Sequence, residues 1–222
     1  MWTHFYNMDP TTILLYVMIA VLTILCIRLS TCMPQYREGH TVNLKNPGSI
    51  STMVYWGSGG HTTEMIHLLN HLDSAKYCPM YFVSSNSDQS SENKIRSAKL
   101  SCSRNASWKS VSRSREVKQS WLSTIFTSLH SFIDCFLLVM NCRPQLILCN
   151  GPGTCVFICY SAFLLRLFGV YQPVIVYVES FCRVKTLSLS GKLLYPIADK
   201  FIVQWRGLMS DYSRAEYLGR IC

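Results

Sequence analysis

Between Asp9 and Arg28 lie 18 residues without a formal charge, and most of positions 13–27 are strongly apolar. As a helix rising 1.5 Å per residue, this run spans about 27 Å, close to the hydrocarbon thickness of a bilayer. Three structures could absorb it. A secretory signal opens on a basic stretch and closes on small residues at a cleavage site. Here Asp9 precedes the run, no Lys or Arg does, and Leu29-Ser30-Thr31-Cys32-Met33-Pro34 follows it. A buried core helix would carry polar positions at helical spacing. A single transmembrane anchor over residues 13–29 is the best fit, with 1–12 as a short lumenal end. Arg28, Arg37 and Lys45 follow the span, so the positive-inside bias places the remainder in the cytosol. The acceptor sequence Asn105-Ala106-Ser107 is then expected to stay unglycosylated.

In a chain of 222 residues this leaves room for one ordinary domain. Gly39, Pro47 and Gly48 mark residues 30–49 as a linker, and 50–222 as the domain. Apolar strand candidates at 51–56, 80–84, 146–149, 174–178 and 201–205 alternate with helix candidates at 62–72, 121–140, 154–168 and 191–198, the last interrupted by Pro196. That alternation is the signature of a Rossmann-like α/β fold with a mostly parallel sheet. Residues 84–120, rich in Ser, Lys and Arg, read as a loop or poorly packed region, with disorder as the alternative.

The net charge of +9 favours phosphate-rich partners: nucleic acid, an anionic membrane surface or a diphosphate. A nucleic-acid binder would gather its basic residues on one face with aromatics between them. Here they are scattered, and no nucleic acid is expected. The 11 cysteines form no C-x-x-C pair and no zinc spacing, which favours a reducing compartment. No Asp-x-Asp pair is present to chelate a nucleotide through a metal, and no Walker lysine follows the glycines. No metal and no cofactor are called for.

Gly57-Ser58-Gly59-Gly60-His61-Thr62-Thr63-Glu64 follows a strand and opens a helix. Glycines let backbone approach a ligand, and a helix start offers free N–H groups and a positive dipole end. An anion, most naturally a phosphate, is the expected guest; a plain capped turn is the alternative. Asn150-Gly151-Pro152-Gly153-Thr154 makes a second such loop. Two loops at the carboxyl ends of neighbouring parallel strands would face one crevice. His61, inside the first loop, is a candidate general base or phosphate ligand. Glu179 closes the strand at 174–178 and is a second candidate, with a cap or salt bridge as the alternative. Arg113 and Arg115 suit bidentate phosphate contacts, or are a solvated charged loop.

The stretches GSGGHTTEM at 57–65, SRSREVKQSW at 112–121, LCNGPGTC at 148–155, VIVYVESFCRVKTLSLSGKLL at 174–194, FIVQW at 201–205 and YLGRI at 217–221 carry a resemblance. The chain resembles the membrane-anchor subunit of the eukaryotic dolichol-linked UDP-N-acetylglucosamine transferase. That family is similar to the N-terminal half of the bacterial lipid-II-forming transferase, a two-lobed GT-B enzyme. The resemblance implies an anchored chain that binds N-acetylglucosaminyl-diphosphodolichol and recruits a soluble catalytic partner carrying the UDP-N-acetylglucosamine site. The complex would add the second N-acetylglucosamine of the lipid-linked oligosaccharide for protein N-glycosylation. It would sit at the endoplasmic reticulum membrane and the contiguous nuclear envelope. A pure recruiting scaffold is the alternative. Carried over position by position, the resemblance assigns the acceptor diphosphate to Ser58, Gly59, Gly60, Thr62, Gly151, Pro152, Gly153 and Thr154. It assigns the partner interface to Tyr217, Leu218, Gly219, Arg220, Ile221 and Cys222.

Overall fold

The computed structural model describes residues 9–37, 48–103, 106–114 and 121–222. Lys45, Asn105, Arg115 and residues 38–47, half of the expected linker, lie outside them.

Helix α1 (Pro10–Cys32) extends beyond the expected span at both ends, with Pro10 in its first turn, where a missing N–H costs nothing. It is apolar all round, is long enough to cross a membrane, and its most apolar stretch is not buried by the rest of the chain. A 3-10 turn at Pro34–Tyr36 follows. The domain then alternates: β1 (Thr52–Tyr55), α2 (Gly60–Asn70), β2 (Met80–Ser85), α3 (Gln89–Ser97), β3 (Ser107–Val111), α4 (Trp121–Cys142), β4 (Leu146–Asn150), α5 (Gly153–Leu167), β5 (Val174–Val178), α6 (Leu189–Leu194), β6 (Lys200–Ile202) and β7 (Ala215–Glu216).

The seven strands form one parallel sheet in the order β3-β2-β1-β4-β5-β6-β7. This is doubly wound topology, and the strand order reverses between β1 and β4. Strand periodicity sorts the core into two layers. Met53, Tyr55, Ile147, Cys149 and Ile175 belong to the layer packed with α4, α5 and α6. Val54, Trp56, Phe82, Leu148 and Val178 belong to the layer containing Met65 and Leu69 of α2 and Ile95 of α3. Both faces of a parallel sheet are covered, so its central strands read as continuous apolar runs. All four residues of β1 are buried. Helix α4 turns Cys135 and Val139 inward and sets Phe132 edge-on against Phe157 of α5, at 5.9 Å. Its other side exposes Ile125, Phe126, Leu129, Ile133 and Leu137.

The described residues of the polar stretch at 84–120 are not one loop. They build α3 and β3, the edge strand beside β2. Asp88 caps α3 by accepting from the Ser91 N–H at 3.2 Å, and Arg96 pairs with Glu92 one turn away. A one-sided helix and an edge strand need few apolar residues. Ile95 is fully buried, and Trp108 stands edge-on to Phe82 at 5.1 Å. Strand β6 is shorter than the run at 201–205 suggests, and β7 carries no sequence signal of its own. Arg37, one of the basic residues that follow the span, is buried against Asp199 at 3.4 Å.

Candidate active site

The loops after β1 and β4 leave the sheet at its carboxyl edge, on either side of the order reversal. They touch each other. A Cβ added to Gly57 would stand 2.6 Å from Cγ of Pro152, so only glycine permits this approach. Helices α2 and α5 both start here, and their free N–H groups and positive dipole ends converge. In front of them lies a cavity of about 220 Å³, lined by Ser58, Arg113, Ser114, Pro152, Gly153 and Thr154 among others. The Ser114 N–H donates to Thr154 Oγ1 at 3.3 Å, tying the segment after β3 to the start of α5. Four of the loop residues expected to hold a diphosphate, Ser58, Pro152, Gly153 and Thr154, therefore line one cavity, together with Arg113. Thr62 does not: its buried hydroxyl donates to the Gly57 carbonyl at 2.5 Å and holds the loop from behind.

Gly60 and Gly151 line a second cavity of about 510 Å³, with His61, Glu64, Ser180 and Arg183. Here Nδ1 of His61 is 2.7 Å from Asn150 Oδ1 and 3.4 Å from Glu64 Oε2. A carboxylate only accepts, so in the neutral ring the proton sits on Nδ1 and Nε2 keeps its lone pair. The Glu64 hydrogen bond raises the His61 pKa above its ordinary value; burial opposes this, and Asn150 and Glu179 add to the rise. Burial works against the ionised form of Glu64, but hydrogen bonds from His61, Ser180 and the adjacent Asn150 prevail and hold its pKa below the usual value. The arrangement is a base held in one tautomer by a carboxylate.

Glu179 has a different setting from an open carboxylate. It is fully buried, Oε2 accepts from the N–H and hydroxyl of Ser188 at 2.9 and 3.1 Å, and Oε1 accepts from the Ser180 N–H at 3.0 Å. It ties down the 180–190 loop, and Gly191 makes room for it: a Cβ there would overlap Oε2. None of residues 217–222 lines the first cavity. The Ile221 N–H donates to Gln204 Oε1 at 3.0 Å, and Leu218 is exposed. Sequence reasoning passed over Glu64, Asn150, Ser114 and Ser180. Glu64 did carry a signal: it stands one helical turn after His61, hence on the same face.

The profile of the family described as "Oligosaccharide biosynthesis protein Alg14 like" matches residues 52–221. The human UDP-N-acetylglucosamine transferase subunit ALG14 is 50% identical over 181 residues, covering 78% of this chain and 83% of that one. The corresponding subunit of Schizosaccharomyces pombe is 46% identical over 180 residues, with 79% and 85% covered. Among solved structures, Acinetobacter baumannii MurG superposes with a TM-score of 0.55 at 12% identity, over 78% of this chain. The chain spans 45% of that protein, a likeness of fold with one part of a larger molecule. The doubly wound sheet, the paired loops and the match over 170 consecutive positions, 52–221, agree: the chain belongs to the Alg14-like family of oligosaccharide biosynthesis proteins.

Proposed function

We propose that this chain is the acceptor-binding subunit of a UDP-N-acetylglucosamine transferase, held at the cytosolic face of the endoplasmic reticulum by α1. One observation carries the reading: two helix N-termini meet at an anion-suited cavity, beside a His whose free nitrogen can take a proton. The similarity to relatives named as transferase subunits supports a partner that brings the donor site. The acceptor is N-acetylglucosaminyl-diphosphodolichol, its diphosphate at the loops of 57–60 and 151–154 with Arg113. Its 4-hydroxyl attacks the anomeric carbon of UDP-N-acetylglucosamine. The new C–O bond forms as the bond to UDP breaks, with inversion, and the hydroxyl proton passes to Nε2 of His61. Residues 217–222, with Leu218 exposed, are the surface offered to the partner.

The test is transfer in detergent, with the purified chain alone and after addition of the candidate soluble subunit. Turnover in the mixture only, lowered at least 100-fold by His61→Ala, is expected. Turnover by the chain alone would overturn the half-enzyme reading. Undiminished turnover by His61→Ala, with the partner still bound, would remove the base and favour a recruiting scaffold.

A further inference from the structure

We propose that Glu64 is a positioning residue for His61, and that a stack of Phe181, Trp205 and Arg220 ties its placement to residues 220–222. The inference rests on the reading of His61 as the base.

Glu64 is held from two sides. Its Oε2 faces His61 Nδ1 at 3.4 Å, while Oε1 accepts from the Ser180 hydroxyl at 2.8 Å and the Phe181 N–H at 3.2 Å. Phe181 is itself pinned: its carbonyl accepts from Trp205 Nε1 at 2.8 Å, and the two rings lie 5.2 Å apart. Arg220 covers this pair, its guanidinium 4.4 Å from the Trp205 ring centre and 5.8 Å from that of Phe181. The next two residues grip the neighbour of Trp205. The Ile221 N–H donates to Gln204 Oε1 at 3.0 Å, and Gln204 Nε2 donates to the Cys222 sulfur at 3.2 Å. Gln204 is fully buried, so these bonds have no competition from water. Cys222 lies near enough to Glu64 that the carboxylate adds to the main effect of burial, which pushes its thiol up to about 12.

The network runs from Arg220 through Trp205, Phe181 and Glu64 to His61 without a gap. Each link is a hydrogen bond or a ring contact, and none is local in sequence except Glu64 to His61. A base must keep its lone pair aimed at the attacking hydroxyl, and small displacements cost large factors in rate. The carboxylate also favours the imidazolium that forms when the proton arrives. Other groups around the ring are Asn150 from β4, Glu179 after β5 and Arg183 across the cavity. None of these is joined to residues 220–222 by the stack.

The test uses the full chain in detergent micelles, with the His61 ring followed by NMR across pH, and transfer measured with the partner subunit present. Glu64→Gln is expected to lower the His61 midpoint and move the acid limb of the rate profile to lower pH. It is also expected to reduce kcat about tenfold with KM within about twofold. Arg220→Ala is expected to move both readouts in the same direction by less, and Arg220→Lys to restore them, because a cation again covers the ring. If Glu64→Gln does not fold, Ser180→Ala removes one donor to the same carboxylate and gives the same reading. An unmoved His61 midpoint in the Glu64 or Ser180 variant overturns the positioning role. A midpoint that moves with Glu64→Gln but not with Arg220→Ala overturns the stack. A shifted midpoint combined with full transfer by His61→Ala supports the positioning and overturns only the base assignment.

Discussion

Gly151 has φ of +78°, and a Cβ added to it would overlap the imidazole of His61. Backbone and side chain therefore both demand glycine here. Gly151→Ala is expected to cost about 1–2 kcal/mol in thermal unfolding and, by displacing the ring, to lower transfer about 100-fold. Near-normal turnover would show that the ring does not need this seat. The His61–Glu64 pair also sets a pH window. The raised pKa of His61 gives stability that is complete below the ordinary value of 6.5 and lost as pH rises through the raised one. The lowered pKa of Glu64 gives stability that is complete above 4.5 and lost as pH falls through the lowered one. Both contributions are present together between pH 4.5 and 6.5. His61 was legible in the sequence because its glycine-rich loop has a backbone chemistry of its own. Its second partner, Asn150, lies 89 positions away and is fixed only by the pairing of β1 with β4.

Among the elements, α3 and β3 show where pattern reading loses its grip. Their apolar content is small because each offers one face to the core, yet they close one side of the first cavity through Asp88 and Arg113. The burial of Ile95 is the decisive contact. Ile95→Ala is expected to cost about 2–5 kcal/mol in denaturant unfolding, the range for a fully enclosed side chain. A cost below about 1 kcal/mol would mean that this region is as loosely packed as its composition suggests. Helices α2 and α5, in contrast, follow glycine-marked turns and carry apolar faces at helical spacing, so both were evident from the sequence.

Across the whole molecule, a buried charge cluster joins the end of α1 to the lower edge of the sheet. Arg166, fully buried in α5, donates to Asp199 at 3.1 Å, to the Cys32 carbonyl at 3.3 Å and to the Pro173 carbonyl at 2.5 Å. Asp199 also accepts from the Ile175 N–H at 2.8 Å and faces Arg37 at 3.4 Å. The segment leaving α1 is thereby fastened to α5 and β5 rather than trailing from them. Asp199→Ala leaves two buried guanidinium groups without a counter-charge and is expected to cost about 3–5 kcal/mol in thermal unfolding. An unchanged midpoint would show that water or a shifted backbone takes over the carboxylate's role.

The sequence by itself determined the long apolar helix, the alternation of strands and helices, and the two glycine-bearing loops at their ends. These rest on interactions within a few residues: helical rise, side-chain periodicity and the conformational range of glycine. Only the tertiary structure decided which loop residues share a cavity, that Glu179 is enclosed while Glu64 faces His61, and that Arg37 is buried. Those outcomes depend on contacts such as Glu64 with Ser180, 116 positions apart, and Arg37 with Asp199. No local pattern encodes them, because they exist only once the sheet order has brought distant segments together.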